Sequence, residues 1–125
     1  MAARRILVVD DEDDIRTVAR VALERVGGHT VLAASSGAEG IELARRERPD
    51  AIVLDMMMPG MDGPSTFRAL ADDATTADIP VVFLTAKAQA ADRVLLEGLG
   101  AAGVLAKPFD PLTLHTELAA LLGWE

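Results

Sequence analysis

The sequence has no cysteine, no apolar run long enough to cross a bilayer, and few basic residues for its size. Each absence removes a class of function. Without cysteine there are no disulfides and no thiolate nucleophile, although the compartment stays open on that ground. Without about 18 consecutive apolar residues, no membrane span is expected. No signal peptide is expected either, because Arg4 and Arg5 lead straight into a short apolar run that stops at charges. Lys and Arg number 12 against 20 Asp and Glu, a net charge of −8. The chain therefore lacks the basic footprint through which proteins bind nucleic acid irrespective of sequence. Direct DNA or RNA binding is not expected, and a cytoplasmic location is.

What is present is half apolar and 125 residues long, enough for one domain with a proper core. Ile6–Val9, Ala51–Leu54, Val81–Leu84 and, more weakly, Val104–Ala106 read as strands buried on both faces. Thr30–Ala33 adds a fifth strand between the first two. Between these runs the apolar period becomes helical. Ile15, Val18, Ala19, Ala22, Leu23 and Val26 form one broad stripe that Gly27 and Gly28 stop. A second helix is predicted from Gly37 to Arg48, ended by Pro49 and Asp50. The third begins near Gly63 and Pro64 and carries Phe67 and Leu70. The fourth, about Ala88 to Leu99, has a blurred stripe and Gly98 interrupts it. In the last, "DPL" offers Asp110 as cap and Pro111 as first helical residue, with Leu114, Leu118 and Leu121 on one face before Gly123. Strand and helix alternating five times give a parallel sheet with helices on both sides. In such sheets ligands sit outside the carboxyl ends of the strands.

Those ends carry Asp10 and Asp11, then Asp55, Thr85 and Lys107. Singly, each has an ordinary structural reading: a helix cap for the acidic pair or Thr85, a turn-former for Asp55, a surface lysine. Together they gather at one edge of an otherwise aliphatic sheet. Three carboxylates there repel one another and retain a proton unless something positive lies between them. A hard divalent cation is the natural occupant, and Mg²⁺, which takes oxygen donors and keeps several waters, suits best. His29 and His115 stand at unrelated positions and read as surface or half-buried residues. Asp55, alone after "AIVLD" on a flexible loop, is placed as a nucleophile able to accept a phosphoryl group as an acyl phosphate. Phosphoryl transfer then needs charge neutralisation and positioning, which the cation, the Lys107 ammonium and the Thr85 hydroxyl would supply. Lys107 precedes Pro108, where a cis bond would turn the lysine inward, but a trans bond that ends the strand is the expectation. Of the five acids from Asp10 to Asp14, Glu12, Asp13 and Asp14 are left to start the helix.

In "VVDDE", "IVLDMMMPGMDG", "VVFLTA" and "GAAGVLAKPF" the chain resembles a receiver domain of two-component response regulators, similar in size to the free-standing chemotaxis regulators. The resemblance spans nearly the whole chain. It implies an α/β, flavodoxin-like (βα)5 three-layer sandwich with parallel strand order 2-1-3-4-5, a single receiver domain over residues 1–125, and no output domain. It also implies Asp55 as phosphoacceptor, Asp10, Asp11, Asp55 and the Met57 backbone carbonyl as Mg²⁺ ligands, Thr85 as switch hydroxyl and Lys107 as phosphate-pairing cation. The implied donor is a sensor histidine kinase, a phosphotransfer protein or a small acyl phosphate. The acyl phosphate would be lost by slow self-hydrolysis, at a rate that Met57 and Lys87 influence. The implied readout is the surface of helix four, strand five and helix five, including Val104, Thr113, His115 and Glu117. It would serve a downstream protein or a phosphorylation-dependent homodimer.

One departure is Val104, where the family often has Tyr or Phe three residues before the lysine. A valine has no ring to rotate, so signalling is expected to run through helix four and the loop before it, with Gly98, Gly100 and Gly103 nearby.

Other readings compete. A flavodoxin-type cofactor binder would place Ser, Thr and Gly, not five acids, after the first strand. A phosphatase with an aspartyl nucleophile would want an acid where Met57 stands. A pseudo-receiver would not need the complete set of acids, threonine and lysine. The receiver domain of a longer transcriptional or enzymatic regulator also fits, although "LLGWE" without a linker reads as a natural stop.

Overall fold

The computed structural model describes residues 3–86 and 90–124. Its elements are β1 (Arg5–Val9), α1 (Asp13–Val21), β2 (Thr30–Ala34), α2 (Gly37–Glu47), β3 (Ala51–Asp55), α3 (Gly63–Ala71), β4 (Val81–Thr85), α4 (Ala90–Gly98), β5 (Gly103–Ala106) and α5 (Leu114–Leu122), and α1 runs on into a wider, π-type turn over Ala22–Val26. All strand pairs are parallel and the spatial order is β2-β1-β3-β4-β5, as expected.

Successive strand side chains point to opposite faces, so the sheet builds two cores. Ile6, Val8, Val53, Val82, Leu84 and Leu105 pack against Ala19, Ala22 and Leu23 at the α1 side and against Leu114 and Leu118 of α5. Leu7, Val9, Ile52, Leu54, Phe83 and Val104 face Ile41 and Ala44 of α2, Phe67 and Leu70 of α3, and Leu96 of α4. Because both faces are covered, the strands read as continuous apolar runs rather than alternating ones.

The helix boundaries carry three corrections. Val18 and Val26, expected inside, are 40% and 42% exposed, so the buried stripe of the first helix narrows to Ile15, Ala19, Ala22 and Leu23. The narrower stripe suffices because only one sheet face lies beneath it. The fifth helix starts at Leu114 rather than Pro111. Asp110 still caps the entry: its carboxylate accepts the Leu112 N–H at 2.9 Å and its carbonyl the Thr113 and Leu114 N–H groups at 3.1 and 3.0 Å. A proline-led turn is thereby inserted before the helix proper. The expected start of the fourth helix at Ala88 lies outside the described residues, and Gly98 ends α4 rather than interrupting it.

Local chemistry explains the other ends. Ser36 accepts the Glu39 N–H at 3.1 Å to cap α2, and Asp62 accepts the Ser65 N–H at 2.8 Å to cap α3. Arg48 closes α2 in a left-handed conformation, φ 48°, one residue before Pro49. No helix among the described residues is long and apolar enough to cross a membrane.

Candidate functional site

β1, β3, β4 and β5 end side by side, which brings residues distant in sequence to one edge. Val9 pairs with Leu54, Asp55 with Leu84 and Thr85 with Ala106 in the ladders. Asp10, following β1, therefore lies level with Asp55 at the end of β3, and Lys107, following β5, one step beyond Thr85 at the end of β4. The main chain ties these ends together beyond the sheet. The Asp10 N–H donates to Ala34 O at 3.1 Å, Met56 N–H to Leu84 O at 3.1 Å and Lys107 N–H to Thr85 O at 2.8 Å.

Asp10 is 0% and Asp55 3% exposed, and Thr85 is buried beside them. With Asp11 they form a cluster of three carboxylates whose potential ligand atoms lie within 4.8 Å of one another. Lys107 Nζ sits among them, 2.8 Å from Asp10 Oδ2 and 3.0 Å from Asp55 Oδ1. Part of the positive charge that the acids require is thus internal. Burial pushes the Asp55 carboxyl upward in pKa, against the hydrogen bond from Lys107, and the negative charge of Asp10 adds to the rise. For Lys107, burial works against its charge, but the hydrogen bonds and charges of Asp10 and Asp55 outweigh it and its pKa is raised. The pairing favours the charged form of Lys107, while burial disfavours that of Asp55.

The lysine does not exhaust the acids. Asp55 Oδ2 is buried with no hydrogen-bond partner among the described residues. An unspent carboxylate oxygen beside two more carboxylates, with no sulfur or imidazole donor in the cluster, fits a hard cation that brings its own waters. Met57 follows two residues after Asp55. Its N–H lies 3.5 Å from Asp55 Oδ1, and its side chain is 80% exposed. Next to the acids, Met56, Met57, Thr85, Ala86, Leu95 and Leu96 line a cavity of about 200 Å³, so Thr85 shares a wall with α4.

The structure brings together Asp10, Asp11, Asp55, Thr85 and Lys107, and of Met57 it places the N–H near Asp55. Lys87 lies outside the described residues. The Lys107–Pro108 bond is cis, not the expected trans; the tertiary amide leaves little energy between the isomers, so base rates alone could not decide it. Two more groups reach the site that were assigned otherwise or not at all. Glu12, expected only to start the helix, places Oε1 3.6 Å from Lys107 Nζ. Arg16 donates to the Asp10 carbonyl at 2.7 Å and pairs with Asp13. The i, i+3 spacing of Asp13 and Arg16 was a visible signal; the bond to Asp10 was not. A further correction concerns His115. Its Cβ packs at Gly27, where an added Cβ would come within 2.7 Å, so it faces α1 and not the α4–β5 side. Glu117, about 200° further round the helix, does line the groove there with Arg93 and Val104. His29, expected at the surface or half-buried, is 5% exposed.

Residues 6–119 match the family model of the response regulator receiver domain, and the chain belongs to that family. Its members are signalling regulators rather than classical enzymes. Among curated relatives, the protein PilH of Pseudomonas aeruginosa is 42% identical over 118 residues, which cover 94% of this chain and 97% of PilH. The alkaline phosphatase synthesis transcriptional regulatory protein PhoP of Bacillus subtilis is 40% identical over 119 residues, covering 95% of this chain but 48% of PhoP. The chain therefore spans nearly all of PilH and about half of such transcriptional regulators. Among solved structures, the chemotaxis response regulator CheY4 of Vibrio cholerae superposes with a TM-score of 0.88 at 30% identity, over 96% of this chain and 99% of that one.

Proposed function

We propose that the domain over residues 1–125 is the phosphoacceptor of a two-component phosphorelay in the cytoplasm, with Asp55 as the acceptor. An Asp55 carboxylate oxygen attacks phosphorus, and the bond from phosphorus to the donor breaks. The electron pair leaves with the imidazole nitrogen of a kinase or phosphotransfer protein, or with the carboxylate of a small acyl phosphate. Asp10, Asp11, Asp55 and the Met57 carbonyl would hold Mg²⁺. When bound, that ion supplies charge neutralisation for the transferred phosphoryl group. Lys107 pairs with the new phosphoryl oxygens, and Thr85 donates its hydroxyl to one of them. Slow hydrolysis, tuned at Met57 and Lys87, returns the domain to rest. The observation that carries this reading is the Lys107 ammonium held by both Asp10 and Asp55, with one Asp55 oxygen left over.

Intact mass after incubation with acetyl phosphate tests it. A phosphoryl-sized gain is expected that disappears in Asp55→Asn and without Mg²⁺. A folded protein that gains nothing from acetyl phosphate or from a sensor kinase would be a pseudo-receiver.

The output runs through α4 toward a downstream protein or a second phosphorylated copy. Phosphorylation adds about two negative charges and draws Thr85 and Lys107 inward, which biases a two-state element. Two contacts support α4 as that element: Leu95 and Leu96 share the cavity wall with Thr85, and Arg93 donates to the Val104 carbonyl of β5 at 3.2 Å. Where the family often has a ring, this chain has a valine bonded through its main chain to α4. Amide exchange over residues 86–100 is expected to change on phosphorylation; unchanged exchange would remove α4 from the route.

A further inference from the structure

We propose that Arg16 is a positioning residue for the cation site, holding the Asp10–Asp11 peptide in the orientation that aims Asp11 at the cluster. This rests on the cation reading above. Arg16 stands in the opening turns of α1 with a side chain 20% exposed. A cation there opposes the helix dipole, which favours acids at this end. Asp13 and Asp14 already supply that preference. The i, i+3 pair with Asp13 accounts for a cation at this place, but not for the reach of its guanidinium back to the Asp10 carbonyl.

Its contacts show what that reach does. The guanidinium donates to the Asp10 main-chain carbonyl at 2.7 Å and pairs with Asp13, while the Arg16 N–H donates to the Glu12 carbonyl at 3.1 Å. Asp10 Oδ1 in turn accepts the Glu12 N–H at 2.9 Å. The segment from Asp10 to Asp13 is braced at two carbonyls and two carboxylates. Because the peptide is planar, fixing the Asp10 carbonyl fixes the plane from which the Asp11 chain departs. The Asp11 carboxylate makes no hydrogen bond or ion pair of its own among the described residues, so its direction depends on that backbone. Arg16 reaches the cation only through other residues.

Charge and position predict opposite signs, which makes the inference decidable. As a mere neighbouring charge, Arg16 repels a divalent cation, so its removal would tighten binding. As a brace, its removal loosens binding, on the scale of about tenfold found when groups that orient metal ligands are lost. The experiment is calorimetric titration of the unphosphorylated full chain with MgCl₂ at about 0.15 M ionic strength. Variants are Arg16→Met, Arg16→Lys and Asp13→Asn, each checked for folding by circular dichroism. About tenfold weaker binding is expected for Arg16→Met. A smaller weakening is expected for Arg16→Lys, which keeps the charge but not the two-pronged geometry, and for Asp13→Asn, which frees one prong. Binding unchanged or tighter in Arg16→Met overturns the proposal. If Arg16→Met does not fold, wild-type affinity in both other variants overturns it. Wild-type protein that does not bind Mg²⁺ would instead refute the cation reading itself, a separate and visible failure.

Discussion

The two ends of the sheet bury polar groups in opposite ways. At the carboxyl end, the Lys107 ammonium stands between two buried acids, 2.8 Å from Asp10 and 3.0 Å from Asp55. At the amino end, His29 is equally secluded, yet it accepts the Arg4 N–H on Nδ1 at 3.0 Å, an acceptor role only an unprotonated nitrogen can fill. Its ring lies 5.7 Å from that of Trp124, over which the Arg4 guanidinium stands at 5.0 Å. Burial lowers the His29 pKa, and the charges of His115 and Arg4 push the same way. One end sets a cation against its buried acids, and the other removes charge by desolvation. Burial of a polar residue is therefore no mark of function by itself. The difference is not leftover valence, since His29 Nε2 is buried without a hydrogen-bond partner among the described residues just as Asp55 Oδ2 is; it is charge, because an imidazole kept from protonation by burial calls for no counter-ion, whereas three carboxyl groups around one ammonium leave a place for a second cation.

The largest way to break that contrast is Lys107→Met. It leaves Asp10 and Asp55 facing each other with no internal cation, and losing one partner of a buried pair costs about 3 kcal/mol. Urea titration in Mg²⁺-free buffer is expected to show a loss of that size, with part of it recovered on adding Mg²⁺. A loss under about 1 kcal/mol would mean that Lys107 does not hold the acids. Second in size is Gly63→Ala. An added Cβ would lie 2.5 Å from the Asp55 carbonyl oxygen and 2.8 Å from Met56 Cα, both backbone atoms with little room to move. About 2 kcal/mol of overpacking is expected, together with a slower phosphoryl gain, because the strain falls on the acceptor's own peptide. Equal rates in variant and wild type would show that the edge tolerates displacement.

The smallest effect sharpens the amino end. Because the folded His29 pKa is lowered, the unfolded chain takes up a proton first, near its ordinary value of 6.5. The contribution of His29 is complete above that pH and is lost as pH falls through it toward the lower folded value. Melting temperature between about pH 7.5 and 5.5 is expected to fall less steeply in His29→Gln than in wild type. Identical slopes would mean that the imidazole is solvated.

Much of this was legible in the chain. The five strands and the residues that end them follow from apolar runs bounded by polar groups, because a strand covered on both faces must be aliphatic and its exits cannot be. Asp10, Asp55, Thr85 and Lys107 were readable for that reason alone. The first helix was less so. Apolar period marks a face, but Val18 and Val26 satisfy the period and still lie outside, since the width of a buried stripe depends on what covers it.

Sequence by itself determined the alternation of strand and helix, the ordering of the site residues along the chain and the chemistry of each. Tertiary structure decided which of them touch. The Lys107 ammonium between carboxylates 97 and 52 positions away, the turning of His115 toward α1, the Arg93 bond to Val104 and the reach of Arg16 back to Asp10 are all products of packing. Local periodicity says which side of an element is buried. Only the closing of the sheet and the seating of each helix on it say against what, because those contacts are bought with the entropy of chain segments far longer than any periodic pattern.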